Sequence, residues 1–457
     1  MSFPAINYRC GSALFIINLI IGPRTTCSKY NEGDIVPSSD HHVHIMGAGM
    51  AGLSAAVRCV EGGLRVSLYD SARQAGGRCR SFHDPMLDRI IDNGNHLLLG
   101  GNACVFDYLD TIGASRLVTA APDHFPFIDL KSGENWSLRP GSAKLPLWLF
   151  LPGRRIPGTR ISDYLVLKKL SSAQDQDALT DYIDPTSIIF ERFWDPLCAA
   201  VLNTDAHEGS AKLIGRMLDM TLLKGPPFAR PFITPLGLSA TLVDPALAYL
   251  RQSQVHVEFG ARVTSLSLRE NRATHLDVGH KTIELSSMDH LILCLPPNQI
   301  QSLIPQVQVP TLTRPILNVH FGLDEEYRLP RNAAFIGVIN GISQWIFRRG
   351  TTLSVTVSRA DALMEKDTDE LSDQIWQEVA FAIGRPNIPR PPHRLIKEKR
   401  ATICQTPAQL ALRPDSVTRW KNLYLAGDWT NTGLPATIEG AVKSGQVAAK
   451  NLLNSLT

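Results

Sequence analysis

The stretch that decides the fold is HHVHIMGAGMAGLSAAVRCVEGGLRVSLYD, which runs from His41 to Asp70. Val43, Ile45 and their neighbours predict a short strand, and residues 50–61 have the composition of a helix. LRVSLYD then predicts a second strand that ends at Asp70. Three glycines in the pattern G-x-G-x-x-G separate the first strand from the helix: Gly47, Gly49 and Gly52. This order predicts a βαβ unit that binds a dinucleotide, against the alternative of a glycine-rich turn in some other parallel sheet.

Each residue of this motif has a physical task in such a site. Gly47 permits the tight turn, and Gly49 lets the backbone approach a pyrophosphate at the helix N-terminus. Gly52 allows the helix to pack closely on the strand. Asp70, which lies 18 residues after Gly52, can accept hydrogen bonds from ribose hydroxyls and would repel a 2′-phosphate.

A second glycine turn follows in DSARQAGGRCRS, which begins at Asp70. The doublet Gly76-Gly77 and the adjacent Arg78 suit a flavin dinucleotide bound in an extended form. Arg78 would place a fixed cation near phosphate or flavin oxygens, and the alternative is a surface arginine.

The run IDNGNHLLLGGN, which begins at Ile91, sets an acid, two amides, a glycine and an imidazole against three leucines. Its polar residues are Asp92, Asn93, Asn95 and His96. Two interpretations are open: the polar groups cap a buried strand, or they line a pocket for something both polar and apolar.

Taken together, these motifs resemble the flavin-containing amine oxidase and carotenoid desaturase superfamily. The IDNGNHLLLGGN run resembles, more narrowly, the squalene-associated FAD-dependent desaturases, which are hydroxysqualene dehydroxylases. The resemblance extends from about residue 42 to the C-terminus. It implies an α/β fold in which a Rossmann-type FAD-binding domain is interleaved with an α+β substrate-binding domain.

The implied domains are discontinuous. The FAD-binding domain comprises residues 42–115, 232–305 and 395–457, and the substrate-binding domain comprises residues 116–231 and 306–394. Residues 1–41 form an extension outside both. Its apolar stretch from Ser12 to Ile21 is too short to span a bilayer, and it suits either a signal-peptide core or a poorly ordered extension.

The resemblance also assigns an FAD site across distant segments. In NLYLAGDWTNTGLPATIEGAV, which begins at Asn422, Asp428 would contact the ribityl chain or the pyrophosphate. The following helix would direct its N-terminus at the flavin ring, with Ala436, Gly440 and Ser444 on one thin face. Val263 would contact the adenine through its backbone. The residues expected to bind FAD are Gly47, Gly49, Gly52, Asp70, Gly76, Gly77, Arg78, Gly94, Asn95, Val263, Gly427, Asp428 and Ile438.

The remaining segments carry apolar and aromatic groups. KLPLWLFLPGRRIPGTR, which runs from Lys144 to Arg160, suits docking on an anionic bilayer surface or, equally, a buried element with a solvated end. Trp194, Trp345 and Phe347 suit the wall of a pocket for a polyprenyl chain, and each would serve equally as core.

Composition excludes some functions. The chain has 457 residues with a net charge of only +3, so charge gives no reason to expect nucleic-acid binding. Its eight cysteines include no CxxC pair, so no metal site is expected and a reducing compartment is favoured. A cytoplasmic location is therefore expected, and the docking interpretation of the segment from Lys144 to Arg160 would add peripheral contact on the inner face of the cytoplasmic membrane.

The function that the resemblance implies is reductive dehydroxylation of hydroxysqualene to squalene, with hydride transfer from reduced flavin. The expected partners are a long isoprenoid and other enzymes of the squalene pathway. An acid must protonate the departing hydroxyl, and the candidates are His96 and Asp92, followed by Asp195 and Glu439. With His96 as the acid, the rate should fall as pH rises past about 6.5.

Three alternatives stay open. A carotenoid-type desaturase would run hydride transfer from substrate to oxidised flavin. An amine oxidase would share the flavin domain and need an aromatic cage for a neutral amine. A non-catalytic flavoprotein could bind or present isoprenoids within a biosynthetic complex.

Overall fold

A computed structural model describes residues 39–139 and 155–457. Within them the strands are β1 (His42–Met46), β2 (Arg65–Asp70), β3 (Ser81–Asp84), β4 (Arg89–Asp92), β5 (Leu98–Leu99), β6 (Thr119–Ala120), β7 (Phe125–Asp129), β8 (Asn135–Leu138), β9 (Pro231–Ile233), β10 (His256–Phe259), β11 (Val263–Arg269), β12 (Arg272–Val278), β13 (Lys281–Glu284), β14 (Asp289–Leu293), β15 (Thr313–Gly322), β16 (Phe335–Ile339), β17 (Trp345–Arg349), β18 (Thr352–Ser358), β19 (His393–Ile403) and β20 (Leu423–Leu425). The α-helices are α1 (Met50–Glu61), α2 (Ala103–Thr111), α3 (Val166–Leu170), α4 (Asp195–Leu202), α5 (Ala211–Met220), α6 (Pro226–Ala229), α7 (Asp244–Gln252), α8 (Pro297–Leu303), α9 (Thr368–Ala382), α10 (Pro407–Leu410) and α11 (Ile438–Asn454).

The first layer is a five-stranded parallel sheet in the order β10-β2-β1-β14-β20. The βαβ unit predicted from the sequence is confirmed as β1, α1 and β2. Helices α1 and α11 cover one face of this sheet, and they pack so closely that a Cβ on Gly445 would lie 2.1 Å from the Ala51 carbonyl oxygen. The antiparallel sheet β11-β12-β13 contributes to the apolar core on the opposite face.

The second large layer is a seven-stranded sheet in the order β19-β15-β18-β17-β16-β7-β8. Its neighbours are antiparallel except for the parallel pair β16 and β7. Side chains alternate between the two faces of a strand, so register decides what each face presents. On one face Val319, Val355 and Ile346 lie in register and join the apolar core that contains Ile375 and Trp376 of α9.

The opposite face changes character across the sheet. Asn318, Thr356 and Trp345 lie in register on β15, β18 and β17, and Phe127 on β7 follows beyond Gly337. This face, called here the site face, is therefore polar on β15 and β18 and aromatic on β17, β16 and β7.

The mixed α/β fold predicted from the sequence is confirmed, but the predicted boundary at residue 395 is wrong. β19 begins at His393, and its residues through Ile403 pair with β15, so the boundary falls inside a strand of the seven-stranded sheet. An eleven-residue strand cannot be divided between two domains without losing its ladder of hydrogen bonds. The other domain boundaries stay predictions.

Two sequence interpretations concern residues that are not described. The extension lies outside the described residues as far as position 38, and the apolar part of the segment from Lys144 lies outside them as far as position 154. Among the described residues, no helix is both long and apolar enough to cross a membrane.

Candidate active site

The glycine loop after β1 has two glycines that are required by packing. Gly47 has a φ of +105°, and a Cβ there would lie 2.5 Å from the Cys294 carbonyl oxygen. A Cβ on Gly52 would lie 1.7 Å from the Gly47 carbonyl oxygen. Any side chain at either position would collide with backbone, so these glycines fix the approach of α1 to β1 and β14.

Gly49 differs from its neighbours because a Cβ there would meet no protein atom within 4 Å. It precedes α1 as the N-cap, where helix N–H groups lack partners inside the helix. The second glycine turn lies against it: the Gly76 N–H donates to the Ala48 carbonyl at 2.8 Å, and a Cβ on Gly77 would lie 3.3 Å from the Gly49 Cα. The open space beside Gly49 at a helix N-terminus fits a pyrophosphate.

The acid at the end of β2 lies at the same loop. The Asp70 carboxylate accepts hydrogen bonds from the backbone N–H groups of Ala48 at 2.6 Å and Ala72 at 2.7 Å. The Ala261 N–H donates to the Asp70 carbonyl at 2.9 Å, which brings the segment before Val263 alongside the acid. Asp70 and the segment that leads to Val263 are thus adjacent.

The second half of the predicted site meets the first through an ion pair. Arg78 Nη2 lies 2.7 Å from Asp428 Oδ1, and Arg78 Nη1 donates to the Ala401 carbonyl. Asp428 is buried, and its charge raises the pKa of Arg78. The Arg78 side chain remains partly open to solvent, so one side of this pair is available to a ligand.

The loop between β20 and α11 is organised by a buried arginine that the sequence interpretation missed. Arg413 donates to the carbonyl oxygens of Asp428, Thr430 and Leu434. Burial lowers its pKa to about 10, so the guanidinium remains charged at neutral pH. Its isolated position in the sequence offers no pattern that marks this role.

Helix α11 begins at Ile438, with the Thr437 side chain accepting from the Gly440 N–H. The predicted thin face is wrong in one position, because Ala436 lies before the helix and donates its N–H to the Gln405 side chain. Ser444 accepts from the N–H of Gly427, whose φ of +151° favours glycine. The second turn of helix α11 is therefore tied to the turn that carries Asp428.

Asp92, the first acid of the IDNGNH run, is a buried anchor. Its carboxylate accepts from Ser81 Oγ at 2.5 Å, the Leu238 N–H at 3.0 Å and Arg349 Nη1 at 2.5 Å. These donors belong to a hairpin strand, the start of a helical segment and a strand of the seven-stranded sheet. Three donors on one carboxylate fix the start of the run, which is the commonest role of such a residue.

The Asn95 side chain and the Asn93 backbone carbonyl bind the site face. Asn95 Nδ2 donates to Thr356 Oγ1 at 3.0 Å, and Thr356 Oγ1 donates to Asn318 Oδ1 at 2.8 Å. Asn318 Nδ2 in turn donates to the Asn93 carbonyl at 3.3 Å. Gly94 lies within this ring of contacts, where a Cβ would be 3.3 Å from Asn318 Nδ2. This chain of hydrogen bonds holds the run against β15 and β18.

His96 lies in a recess. The residue is open to solvent, yet the surrounding protein desolvates it enough to lower its pKa to about 4. Asp92 raises this pKa and Arg78 lowers it, so both charges are close to the imidazole. No residue in the described part of the chain forms a hydrogen bond with the His96 side chain, which leaves the ring nitrogens available to a ligand.

The two remaining acid candidates already have partners. Asp195 forms a two-bond ion pair with Arg359, at 2.6 and 3.0 Å. Glu439 on α11 accepts from the backbone N–H groups of Cys104 and Val105, both at 3.0 Å, at the start of α2. Burial raises the pKa of Glu439. Its contacts give it a helix-capping role.

The three predicted pocket aromatics are not equivalent. Trp345 and Phe347 lie on the site face and are half-buried. Trp194 is 0% exposed and packs inside an apolar cluster, with the Phe193 ring centroid at 4.8 Å. Trp194 therefore belongs to the core, and the pocket role predicted for it is not supported by its position.

Sequence interpretation also missed the polar half of the site face. Asn318 and His320 interrupt the apolar strand RPILNVHFG at alternate positions, which is a readable signal for one polar face. His320 is buried, and its Nδ1 lies 2.7 Å from Ser354 Oγ. Burial lowers the pKa of His320 to about 4.

Comparison with known proteins agrees with this geometry. The family described as "Flavin containing amine oxidoreductase" matches residues 50–453. The crystal structure of a putative protoporphyrinogen oxidase from Exiguobacterium sp. 255-15 is similar with a TM-score of 0.67 at 16% identity, covering 91% of this chain and 99% of that one. The class that the fold and the site define is that of the flavin-dependent oxidoreductases.

Two relatives narrow the assignment. A hydroxysqualene dehydroxylase of Rhodopseudomonas palustris is 43% identical over 90% of this chain and 98% of its own length. A second, from Sinorhizobium fredii, is 42% identical over 89% of this chain and 97% of its own length. The chain belongs to the flavin containing amine oxidoreductase family and, within it, to the hydroxysqualene dehydroxylases.

Proposed function

We propose that this chain binds FAD and converts hydroxysqualene to squalene by reductive dehydroxylation. The observation that carries the proposal is the meeting of the Arg78–Asp428 pair, the IDNGNH run and the site face around His96. The named activity of the two relatives supports the choice of substrate.

We propose FAD rather than a flavin without the adenosine half, because the residues arranged for a dinucleotide extend well beyond those that would contact the flavin ring. Asp70 and the segment at Val263 would hold the adenosine half, and the open backbone at Gly49 would hold the pyrophosphate. Arg78 and the start of α11 at Ile438 would hold the flavin half, where a cation and a helix N-terminus favour negative charge. Gly94 and Asn95 would cover the ring from the side of the site face.

When bound in its reduced form, FAD supplies the hydride that replaces the hydroxyl group on carbon. The hydroxyl leaves with one proton as water, so one C–O bond breaks and one C–H bond forms. The chain must bind the substrate chain, orient the hydroxyl and deliver the proton.

His96 is the proposed proton donor because it lies in the recess without a protein partner, whereas Asp92, Asp195 and Glu439 are engaged elsewhere. The expectation of a fall in rate past pH 6.5 needs revision, because desolvation lowers the pKa of His96 to about 4. The protonated fraction then falls about tenfold for each pH unit across the neutral range.

The apolar part of the substrate would lie along the aromatic side of the site face. Trp345 and Phe347 are half-buried there, and Phe335 packs against both rings with centroid distances of 6.0 Å. Burial of isoprenoid surface contributes about 25 cal/mol per Å² removed from water. A substrate with a polar head and a long apolar tail matches the polar-to-aromatic change across this face.

Access to such a substrate would come from a membrane surface. The segment from Lys144 to Arg160 carries the apolar and basic residues for peripheral docking on the inner face of the cytoplasmic membrane, close to other squalene-pathway enzymes. This part of the proposal depends on sequence, because residues 140–154 lie outside the described ranges.

The experiment that tests the proposal is a comparison of substrates under reducing and oxidising conditions. Reduced, oxygen-free protein should convert hydroxysqualene to squalene with one flavin oxidised per product. Oxidised protein should leave squalene, phytoene and an amine unchanged. Desaturated phytoene would support the desaturase alternative, an aldehyde from the amine would support the oxidase, and no turnover of any substrate would support a binding protein.

A further inference from the structure

A group of histidines lies at the edge of the parallel sheet that faces away from the glycine loop. His42 and His44 are the first and third residues of β1, so their side chains share one face of the strand. Asp289 is the first residue of β14 and lies directly opposite His42 in the register. The glycine loop follows the other end of β1, so this cluster is separate from the flavin site.

The distances within the cluster match those between ligands of one metal ion. Asp289 Oδ1 lies 3.2 Å from His44 Nε2 and 3.6 Å from His42 Nδ1, and the three ligand atoms all lie within 4.8 Å of one another. In a tetrahedral site with bonds of about 2.0–2.1 Å, two ligand atoms are separated by about 3.3 Å. The two distances that involve Asp289 Oδ1 are near this value, and the two imidazole nitrogens lie within 4.8 Å of each other.

Hydrogen bonds around His42 determine which nitrogen can bind a metal. Arg65 Nη2 lies 3.1 Å from His42 Nδ1, and because a guanidinium can only donate, Nδ1 must be the unprotonated nitrogen. His42 Nε2 carries the proton and donates to Ser67 Oγ at 2.9 Å. This second bond fixes the ring orientation in the way that outer partners of metal-binding histidines do.

The carboxylate is held in a similar way. Asp289 Oδ2 accepts from the Ser286 N–H at 2.8 Å and from Ser286 Oγ at 2.5 Å, so Oδ1 is turned toward the two imidazoles. Two imidazoles beside a carboxylate oxygen that is held in place form a set of N and O donors that can coordinate a metal ion.

We propose that His42, His44 and Asp289 bind one divalent first-row transition-metal ion of the zinc type, which ties the start of β1 to the start of β14. Two imidazoles and one carboxylate form a common donor set for such ions, with water completing the coordination. The side chains of His42 and Asp289 are 15% and 14% exposed, so an ion and its water can enter from solvent. Arg65 is the competing cation and must turn away when the ion binds.

The expectation of no metal site rested on the spacing of cysteines, which says nothing about histidines. The His-x-His pattern in HHVHIM was visible, but its carboxylate partner lies 245 residues away in the chain. Only the pairing of β1 with β14 brings them together.

The test is calorimetric titration of tag-free, flavin-loaded protein with Zn²⁺ after treatment with a chelator. We expect about one equivalent to bind and to raise the Tm. His44→Ala and Asp289→Asn should lose this binding, whereas the control His41→Ala, whose ring pairs with His290, should keep it. Ser67→Ala should weaken binding roughly 10–100-fold by freeing the His42 ring.

Misfolding of a variant would also abolish Zn²⁺ binding, so the test includes a variant that should bind Zn²⁺ more tightly. Arg65→Gln removes an exposed competing cation and should tighten Zn²⁺ binding while the flavin spectrum stays unchanged. Absence of saturable Zn²⁺ binding, binding that persists in both His44→Ala and Asp289→Asn, or no gain in Arg65→Gln would each overturn the proposal.

Discussion

Arg78 and Asp428 are 350 residues apart in the chain, and their side chains are joined by a hydrogen bond of 2.7 Å between Nη2 and Oδ1. Arg78 follows the second glycine turn, and Asp428 lies near the beginning of the loop after β20, the last strand of the parallel sheet. The pair connects the two segments that were assigned independently to one flavin site. It therefore provides the most direct structural link between the two halves of that site.

Removing the cation from this pair should reduce flavin binding. Arg78→Met leaves the buried Asp428 carboxylate without its charged partner and removes a donor from the site, so we expect flavin affinity to fall by about tenfold or more. Arg73→Met, at an exposed position five residues earlier, is the matched control and should bind flavin normally. Equal flavin content in the two purified variants would contradict the assignment of Arg78.

Two glycines of the same loop should respond differently to a side chain. Gly49→Val places its methyl groups in space that no protein atom occupies, so the variant should fold but lack flavin. Gly52→Val drives a Cβ into the Gly47 carbonyl and should prevent folding. Circular dichroism and flavin absorbance distinguish the two outcomes. A yellow, fully loaded Gly49→Val protein would show that the pyrophosphate lies elsewhere.

The hydrogen-bond chain between the IDNGNH run and the site face should matter more for turnover than for stability. Thr356→Val keeps the shape of the side chain but removes the hydroxyl that joins Asn95 to Asn318, at a cost of about 1–3 kcal/mol for unpaired buried groups. We expect flavin to remain bound while the rate of flavin oxidation by substrate falls. Thr274→Val, at a half-buried position of β12 where the hydroxyl donates to the Ser267 carbonyl, removes a hydroxyl away from the site face and serves as the control. An unchanged rate in Thr356→Val would show that these hydrogen bonds are not needed for turnover.

The role of His96 has a defined pH signature. Because its pKa is lowered to about 4, the protonated imidazole decreases about tenfold per unit throughout pH 5–8, and the single-turnover rate should fall with it. His96→Ala should keep flavin, lose this slope and react roughly 10²–10⁴-fold more slowly. His96→Asn preserves a polar side chain without an ionisable group and should behave like the alanine variant. A rate that does not change with pH in the unaltered protein would show that His96 is not the proton donor. The role would then go to a bound water.

The parts of the fold that could be predicted are those encoded by neighbouring residues. The βαβ unit depends on glycines and an acid within thirty positions, and the structure has β1, α1 and β2 where the sequence placed them. The site face could not be predicted, because Asn318, Thr356 and Trp345 are brought together only by the pairing of three strands. The same limitation explains why Trp194 was expected in the pocket although it lies in the core. Hydrophobic character alone does not distinguish a core ring from a pocket ring.

The central claim is tested most directly by single-turnover oxidation of the reduced, oxygen-free protein with hydroxysqualene, followed at the flavin absorbance with squalene measured in the same sample. The account predicts that one equivalent of hydroxysqualene reoxidises the flavin and yields one equivalent of squalene. A flavin that stays reduced in the presence of excess hydroxysqualene, or that is reoxidised without formation of squalene, would contradict it.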